Sequence, residues 1–173
     1  MLLNISDILQ EVGLSFEFNS EVAIDDIAFQ GDNIEFHGPV NIQGNVINGG
    51  DLIHLYGHLC GEATMECDIC RENFQYPIDF DIDISLKSLM DEEEPELYFY
   101  SNSEIDLEDI LVREFLLRLP IQRRCSEKCK GLCPDCGINL NLEKCSCKSE
   151  DNGNIDLRLA DLKDLLADMD REV

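Results

Sequence analysis

Basic residues are scarce in this chain, and their scarcity limits what it can bind. Its 173 residues include 13 Lys or Arg against 37 Asp or Glu, and no basic side chain occurs before Arg71. The formal net charge of −24 repels phosphate over most of the surface. The composition therefore argues against a broad nucleic-acid-binding face.

Long hydrophobic runs are also missing. No apolar run approaches the roughly 18–20 residues that a membrane-spanning helix needs, so we expect no membrane association. The first seven residues lack a basic region and reach an acid at Asp7, which argues against a signal peptide. Nine cysteines without a secretory signal indicate a cytoplasmic, reducing environment and metal binding instead of disulfides.

Sequence motifs of common enzyme classes are absent. There is no Gly-rich phosphate loop, no Gly-x-Ser-x-Gly and no His-Glu-x-x-His. Carboxylates are abundant, but no pair is singled out as a general acid and base. We therefore expect neither catalysis nor a small-molecule substrate.

The hydrophobic pattern predicts an α+β fold with strands in its first half. Apolar positions in residues 1–12 predict a short amphipathic helix, and alternation between residues 14 and 88 predicts strands. Asn48-Gly49-Gly50-Asp51 is a hairpin-turn signal, and Gly57 and Gly61 suggest bulges or bends. We expect an antiparallel sheet or a small β-barrel.

Helices and a cysteine-rich zinc module are predicted to follow this sheet. After an acidic loop at 91–96 and a short strand at 98–100, Asp106 is an N-cap for a helix that ends at Pro120. Ile155 to Met169 has the spacing of an amphipathic helix that packs on the body. The predicted units are a β-rich domain (1–120), a zinc-knuckle module (121–148) and a C-terminal helix (149–173).

Cysteine spacing gives the strongest functional signal. Cys133-Pro134-Asp135-Cys136-Gly137 is typical of a zinc knuckle, in which a tight turn brings two thiolates to one ion. Cys145 and Cys147 follow and can complete a tetrahedral four-thiolate site. This set is the first predicted metal site, with zinc as the cofactor.

A second set is predicted with less support from spacing. Cys67 and Cys70 form another Cys-x-x-Cys pair at the end of a strand, and Cys125 and Cys129 lie upstream of the knuckle. Together these four can form a second zinc site that ties the sheet to the module. Alternatively, Cys125 and Cys129 are free or are alternate ligands of a single zinc site, or the cysteines hold an iron–sulfur cluster or serve thiol chemistry.

Three other residues have the chemistry of ligands without a clear partner set. Cys60 is expected to be a small buried apolar residue. His54 and His58 are four residues apart, but they lie on a predicted strand, so a structural or surface role is expected for both.

The cysteine-rich segment is the one part of the chain that is net basic. Residues 121–148 contain six Lys or Arg against three acids. Its basic residues either stabilise the thiolates of the zinc sites or contact RNA or a partner protein. The candidate contact residues are Arg123, Arg124, Lys128 and Lys130.

The motifs together resemble those of the YceD family. The resemblance covers roughly residues 14–170 and is carried by Cys67-Asp68-Ile69-Cys70-Arg71, by residues 129–137, by Asn139-Leu140-Asn141 and by Cys145-Ser146-Cys147. It implies a role in accumulation of the large-subunit ribosomal RNA. The family often has an Arg inside the first cysteine pair, whereas here Arg71 follows the pair, so Arg71 joins the candidate contacts.

We therefore expect a non-enzymatic factor for large-subunit ribosome biogenesis that supports accumulation of 23S ribosomal RNA. Its acidic body favours contact with a basic large-subunit ribosomal protein or an assembly intermediate. The alternative is a direct RNA-binding zinc protein that acts through residues 121–148. The salt dependence of RNA binding distinguishes these two hypotheses, because binding to phosphates weakens steeply as the salt concentration rises.

Overall fold

The structure is a computed structural model, and it describes residues 1–29, 31–88 and 98–147. Nine strands and one α-helix form within these ranges. The strands are β1 (Leu2–Asn4), β2 (Ser15–Val22), β3 (Ile27–Phe29), β4 (Asp32–Phe36), β5 (Val40–Asn48), β6 (Ile53–Glu66), β7 (Asn73–Ser88), β8 (Tyr98–Tyr100) and β9 (Glu104–Asp106), and the helix is α1 (Leu107–Arg118).

A seven-stranded, mostly antiparallel sheet forms the body. β6 is its central strand: β7 pairs along one edge, while β5 and then β4 pair along the other. β2 pairs with β5 and β3 with β4, and β8 joins β7 in the one parallel pairing of the described strands. The prediction of an antiparallel sheet is confirmed.

The hydrophobic alternation places one face of this sheet against the core. On β7, Ile78, Ile82, Ile84 and Leu86 are buried, whereas the aspartates between them are exposed. α1 covers the core face, where the Phe115 ring lies 5.4 Å from the Phe36 ring, centroid to centroid. The opposite sheet face remains polar.

α1 begins and ends as the sequence predicts. The Asp106 carboxylate accepts a hydrogen bond from the backbone N–H of Glu108, which satisfies one of the free donors at the helix start. Leu119 is extended, because the residue before Pro120 is driven out of the helical region. α1 is the one helix longer than a single turn in the described residues. The predicted helix at 155–169 and the acidic loop at 91–96 lie outside those residues.

One local prediction is wrong, and one of two alternatives in another is excluded. Residues 1–12 contain strand β1 and a 3-10 turn at Ile8–Gln10 instead of an amphipathic helix, because β1 pairs with β9 and the Leu107 N–H donates to the Met1 carbonyl. Gly57 and Gly61 form no bulge, since the β6–β7 register runs through both without interruption. No helix among the described residues has the length and apolar character needed to cross a membrane.

Candidate metal centres

The turn between β6 and β7 presents the first pair of thiols. It is closed by two backbone bonds, from the Cys67 N–H to the Glu72 carbonyl and from the Arg71 N–H to the Cys67 carbonyl. Arg71 has a φ of 61°, in the left-handed region that reverses the chain after the second cysteine. Cys67 and Cys70 are both buried beneath this turn.

Cys125 and Cys129 complete a four-cysteine group with this pair, which we call cluster A. The Sγ atoms of Cys67 and Cys129 are 3.9 Å apart, those of Cys70 and Cys125 are 3.7 Å apart, and all four lie within 4.8 Å of one another. A tetrahedral ion with metal–sulfur bonds of about 2.3 Å separates its sulfurs by about 3.8 Å. Cluster A therefore has the dimensions of a four-thiolate site and can hold a metal ion.

Hydrogen bonds that are donated to sulfur in cluster A favour the ionised, thiolate form of its cysteines. The Cys125 N–H donates to the Cys67 sulfur at 3.4 Å, and the Asn141 side-chain amide donates to the Cys129 sulfur at 3.3 Å. Burial raises the pKa of Cys67, but backbone N–H groups outweigh it and lower that pKa to about 6.

The other thiols of cluster A shift in both directions. Burial opposes the ionisation of Cys129, but hydrogen bonds from the Asn141 amide and the Gly131 backbone outweigh it and lower its pKa, whereas burial raises the pKa of Cys125. Burial raises the pKa of Cys70 to about 12, and its hydrogen bonds to neighbouring sulfurs act in the same direction. The four thiols of cluster A thus differ in how readily they ionise. A divalent cation placed among them would stabilise all four as thiolates.

Cys133, Cys136, Cys145 and Cys147 form a second group, cluster B. Their Sγ atoms also lie within 4.8 Å of one another. The Gly137 N–H donates to the Cys133 carbonyl, and a φ of 73° at Gly137 lets the chain reverse directly after Cys136. The structure therefore brings together both predicted cysteine sets.

The thiols of cluster B divide in the same way as those of cluster A. Backbone N–H groups of Cys136 and Asp135 lower the pKa of Cys133 to about 7. A hydrogen bond to Cys136 raises the pKa of Cys147 to about 12, and burial adds to the shift. Cluster B can likewise hold a metal ion, and it is the more exposed of the two because Cys133 is its one buried cysteine, whereas Cys67 and Cys70 are both buried in cluster A.

A close backbone contact joins residues 121–147, which we call the tail segment, to the turn between β6 and β7. The Leu132 N–H donates to the Ile69 carbonyl at 3.2 Å. A Cβ added at Gly131 would lie 2.7 Å from the Ile69 side chain, closer than such atoms approach, and 3.1 Å from the Ile69 carbonyl oxygen, which is a tight contact. Only glycine fits at 131, where φ is also 74°.

Arg123 anchors the same tail segment through charge. Its guanidinium is 7% exposed and is paired with the carboxylates of Asp68, at 2.9 Å, and Asp32. The Arg123 backbone N–H donates to Asp68, and the Asp68 N–H donates back to the Arg123 carbonyl. Burial opposes the charge of Arg123, but the two carboxylates raise its pKa further above an already high value.

A family model described as large ribosomal RNA subunit accumulation protein YceD matches residues 55–166. The chain belongs to the YceD family. The matched span includes all eight cysteines of clusters A and B. A search of curated proteins and a search of solved structures each found no match.

The candidate contact residues of this YceD chain differ in how accessible they are. Arg123 is buried in its ion pairs, which argues against the predicted contact with RNA or a partner. Arg71 is exposed, although its guanidinium lies 2.7 Å from the Glu66 carboxylate. Arg124, Lys128 and Lys130 are exposed on the tail segment.

Two features of this YceD chain escape sequence reasoning. Cys60 is exposed on β6, so the prediction of a buried apolar cysteine is wrong; it falls on the polar face because strand residues alternate. The charge group of buried Arg123 with the half-buried Asp68 and Asp32 was not predicted either. Its one visible signal is Asp68, an acid placed inside a Cys-x-x-Cys pair.

His54 and His58 take part in hydrogen bonds outside the clusters. His54 Nδ1 lies 3.1 Å from the Ser85 hydroxyl. His58 lies between Asp79 and Asp81, with Nδ1 2.8 Å from the Asp81 carboxylate. Neither histidine belongs to cluster A or B, in keeping with the structural or surface role expected for them.

Proposed function

We propose that this protein is a non-enzymatic, cytoplasmic factor for assembly of the large ribosomal subunit that supports accumulation of 23S ribosomal RNA. The observation that carries the proposal is the match of the YceD family model over residues 55–166, whose description names large ribosomal RNA subunit accumulation. The geometry of the cysteine clusters supports a structural role for the proposed metal ions instead of a catalytic one. Each offers four thiols to one ion, and a fully ligated ion has no open position for a substrate.

Zinc is the proposed ion in both clusters. Four thiolates in tetrahedral array suit zinc or iron–sulfur chemistry. The sulfur distances of 3.7 and 3.9 Å in cluster A fit one zinc ion among four thiolates. In this proposal residues 121–148 form a zinc module fastened to a β-rich body at 1–120, and 149–173 pack on that body as a helix.

The proposed direct partner is a basic protein of the large subunit or of its assembly intermediates. The charge of −24 falls further when eight thiolates bind two zinc ions, because they add −8 and +4. Such a surface attracts basic polypeptides and repels bare RNA at most places. The effect on ribosomal RNA would then follow from the protein contact.

Direct RNA binding is the second candidate function. Arg124, Lys128 and Lys130 are exposed together on the tail segment, and they favour a local phosphate contact. Arg123 does not add to this group, since its charge is used within the fold. The exposed set is small compared with the acidic body.

A depletion experiment tests the proposed function. We expect cells that lack this chain to lose 23S relative to 16S ribosomal RNA, and the intact chain to restore the ratio. A chain with Cys133→Ser and Cys136→Ser should fail to restore it, while Cys60→Ser should succeed, because Cys60 lies outside both clusters. An unchanged ratio of 23S to 16S ribosomal RNA after depletion would refute the proposed function.

Binding to naked large-subunit RNA separates the two candidates. The basic-partner proposal expects weak binding at physiological salt. Sub-micromolar binding that falls steeply with salt, and that disappears when Arg124, Lys128 and Lys130 are neutralised together, would favour direct RNA recognition.

A further inference from the structure

β2 forms one border of the main sheet, because it pairs with β5 on one side and with no described strand on the other. The Asn48 N–H donates to the Leu14 carbonyl at 2.9 Å, and hydrogen-bonded residues alternate along an antiparallel pair. The even-numbered residues of β2 therefore bond to β5. The odd-numbered residues direct their backbone N–H and C=O groups away from the sheet, and we call this row the free edge: Ser15, Glu17, Asn19 and Glu21.

Other borders of the sheet are protected against pairing with a further strand. β3 and β8 contain three residues each, which is too short for a pairing template. The long outer side of β7 is interrupted at Pro77, which has no N–H. It is interrupted again at Asp81, whose carbonyl accepts a hydrogen bond from the Arg118 guanidinium at 3.1 Å.

The free edge lacks these protections. The eight residues of β2 include no Pro, Lys or Arg, and the register with β5 runs from Ser15 to Val22 without a bulge. The side chains of all its free-edge residues are exposed. A straight edge of this kind is a template to which another extended chain adds through main-chain hydrogen bonds.

Charge decides which kind of chain the free edge suits. Glu17 and Glu21 are exposed on it, on either side of Asn19, and no basic residue lies on β2. Cationic residues of an added strand are stabilised next to these carboxylates. A second copy of this chain would instead place its own Glu17 and Glu21 on the same sheet face, and each copy carries a net charge of −24. The phosphates of RNA would be repelled for the same reason.

A cavity of about 440 Å³ lies beside the first residues of β2. Ile8, Leu14 and Phe16 give it an apolar lining, and Asp7 adds a carboxylate. A Lys or Arg side chain combines an apolar stem with a charged tip, so it fits apolar walls next to a carboxylate. Strand addition commonly joins main-chain hydrogen bonds, which give affinity, to side-chain pockets, which give specificity. The free edge has both parts.

We infer that the free edge of β2 is the docking site for an extended, Lys- or Arg-bearing segment of a basic polypeptide, which joins the sheet as an additional strand. The inference rests on the proposed function, and it deepens that function by locating the contact on the sheet instead of on the zinc module. The segment's main chain bonds to the free edge, and its cations lie next to Glu17 and Glu21.

Amide hydrogen exchange on the full chain, loaded with zinc, tests strand addition directly. The probe is a fluorescent peptide of about nine residues in which Lys and Val alternate, in salt of about 150 mM. In the protein alone, we expect the amides of Glu17, Asn19 and Glu21 to exchange fast, whereas bonds to β5 protect those of Phe16 and Phe18. The peptide should slow exchange at the free-edge amides by about tenfold or more, because a new main-chain hydrogen bond must open first. Absence of binding, or binding without this protection, would overturn the inference.

Proline at the free edge blocks an added strand and spares the existing one. Asn19→Pro removes an N–H that faces away from β5, so the pairing of β2 with β5 is kept. We expect this variant to bind the peptide about tenfold more weakly. Asn19→Lys, which keeps the N–H and places a cation on the edge, is a second variant and should weaken binding by about threefold. Unchanged binding in both variants would contradict docking at this edge.

Two double variants that remove the same charge separate local contact from long-range attraction. Glu17→Gln with Glu21→Gln changes the free edge, and Glu35→Gln with Glu62→Gln changes two exposed acids on β4 and β6. We expect the first pair to weaken peptide binding by about tenfold and the second to change it by less than about twofold. Equal weakening in the two pairs would mean long-range attraction alone and would overturn the site.

Hydrogen exchange also detects two other occupants of the free edge. Protection of its amides in the protein alone, together with the mass of a dimer, would show pairing with a second copy and overturn the basic partner. Protection of the same amides by naked large-subunit RNA, without peptide, would overturn it in favour of a nucleic-acid site.

Cosedimentation with large-subunit particles from a lysate separates this inference from the proposed function. We expect the unaltered protein and the Glu35→Gln, Glu62→Gln control to cosediment, and Asn19→Pro to remain at the top of the gradient. Cosedimentation of all three would reject the free edge as the contact and leave the proposed function standing. Absence of the unaltered protein from the particles would count against the proposed function, whatever the peptide result.

Discussion

Asp68 accepts hydrogen bonds from both the backbone N–H and the guanidinium of Arg123, and its own N–H donates to the Arg123 carbonyl. These residues are 55 positions apart in the chain. Asp68 directly follows Cys67, and Arg123 lies two residues before Cys125, so each is close to a cysteine of cluster A. The contact holds the tail segment against the β6–β7 turn independently of any metal. Cluster A is thus supported by a charge pair as well as by its own sulfurs.

Replacement of Arg123 should destabilise the fold more than replacement of its neighbour. Arg123→Gln removes the buried cation that Asp68 and Asp32 share and leaves Asp32 only the exposed Arg71, at 3.9 Å. We expect a loss of about 2–3 kcal/mol in the free energy of unfolding, below the fully buried case because both carboxylates keep some solvent contact. Arg124→Gln removes an exposed charge and should cost less than about 0.5 kcal/mol. Urea unfolding of the zinc-loaded proteins measures both, and equal losses would refute the structural role of Arg123.

Each chain should bind two zinc ions. Mass spectrometry under native conditions, with elemental analysis of protein purified without chelator, should give two zinc per chain and no visible absorption from iron and sulfide. Cys145→Ser should retain one ion, because it disrupts cluster B and leaves cluster A intact. A folded protein without metal, in which eight further thiols besides Cys60 titrate freely, would contradict this prediction.

Loss of cluster A should loosen a distant part of the chain. We expect Cys67→Ser to raise amide hydrogen exchange in residues 121–147, although these lie more than fifty positions away, because the ion that bridges the β6–β7 turn to the tail is lost. Cys60→Ser, on the neighbouring part of β6, is the matched control and should leave exchange unchanged. Unaltered exchange in the Cys67→Ser tail would rule out the bridge.

Thiol alkylation should distinguish ligands from free cysteines. Cys60, Cys125 and Cys136 are all exposed in the structure. In the zinc-loaded protein we expect iodoacetamide to modify Cys60 alone, since metal-bound thiolates of clusters A and B are protected. After chelation Cys125 and Cys136 should react as well. Peptide mapping shows the sites, and modification of Cys125 or Cys136 before chelation would argue that its cluster holds no metal.

Local signals in the sequence are strong enough to predict several parts of this structure. Asp106 and Pro120 mark the two ends of α1, because capping and proline sterics act within a few residues. The alternation of Ile82 and Ile84 with Asp81 and Asp83 gives the two faces of β7. Cys-x-x-Cys spacing likewise indicates which sulfurs converge on one point.

Features that depend on distant partners could not be predicted. Leu2–Asn4 have the apolar spacing of a helix start but form β1, because β9 supplies backbone partners about a hundred positions later. Arg123 was grouped with the exposed cations, whereas Asp32, 91 positions away, accepts its hydrogen bond. The register that places Gly44 opposite Gly57 depends on pairing between two strands, and composition carries no signal of that register.

The division of cluster A between residues 67–70 and 125–129 has a consequence for how the chain reaches its folded state. A two-cysteine turn supplies only half of a tetrahedral site, so the ion cannot be held until the hairpin of β6 and β7 has formed and the later segment has returned to it. Closure of this long loop costs conformational entropy, and that cost arises before the bound ion can stabilise the closed loop. Metal capture at cluster A is therefore a late folding step, and it marks chains in which sheet and tail have already met.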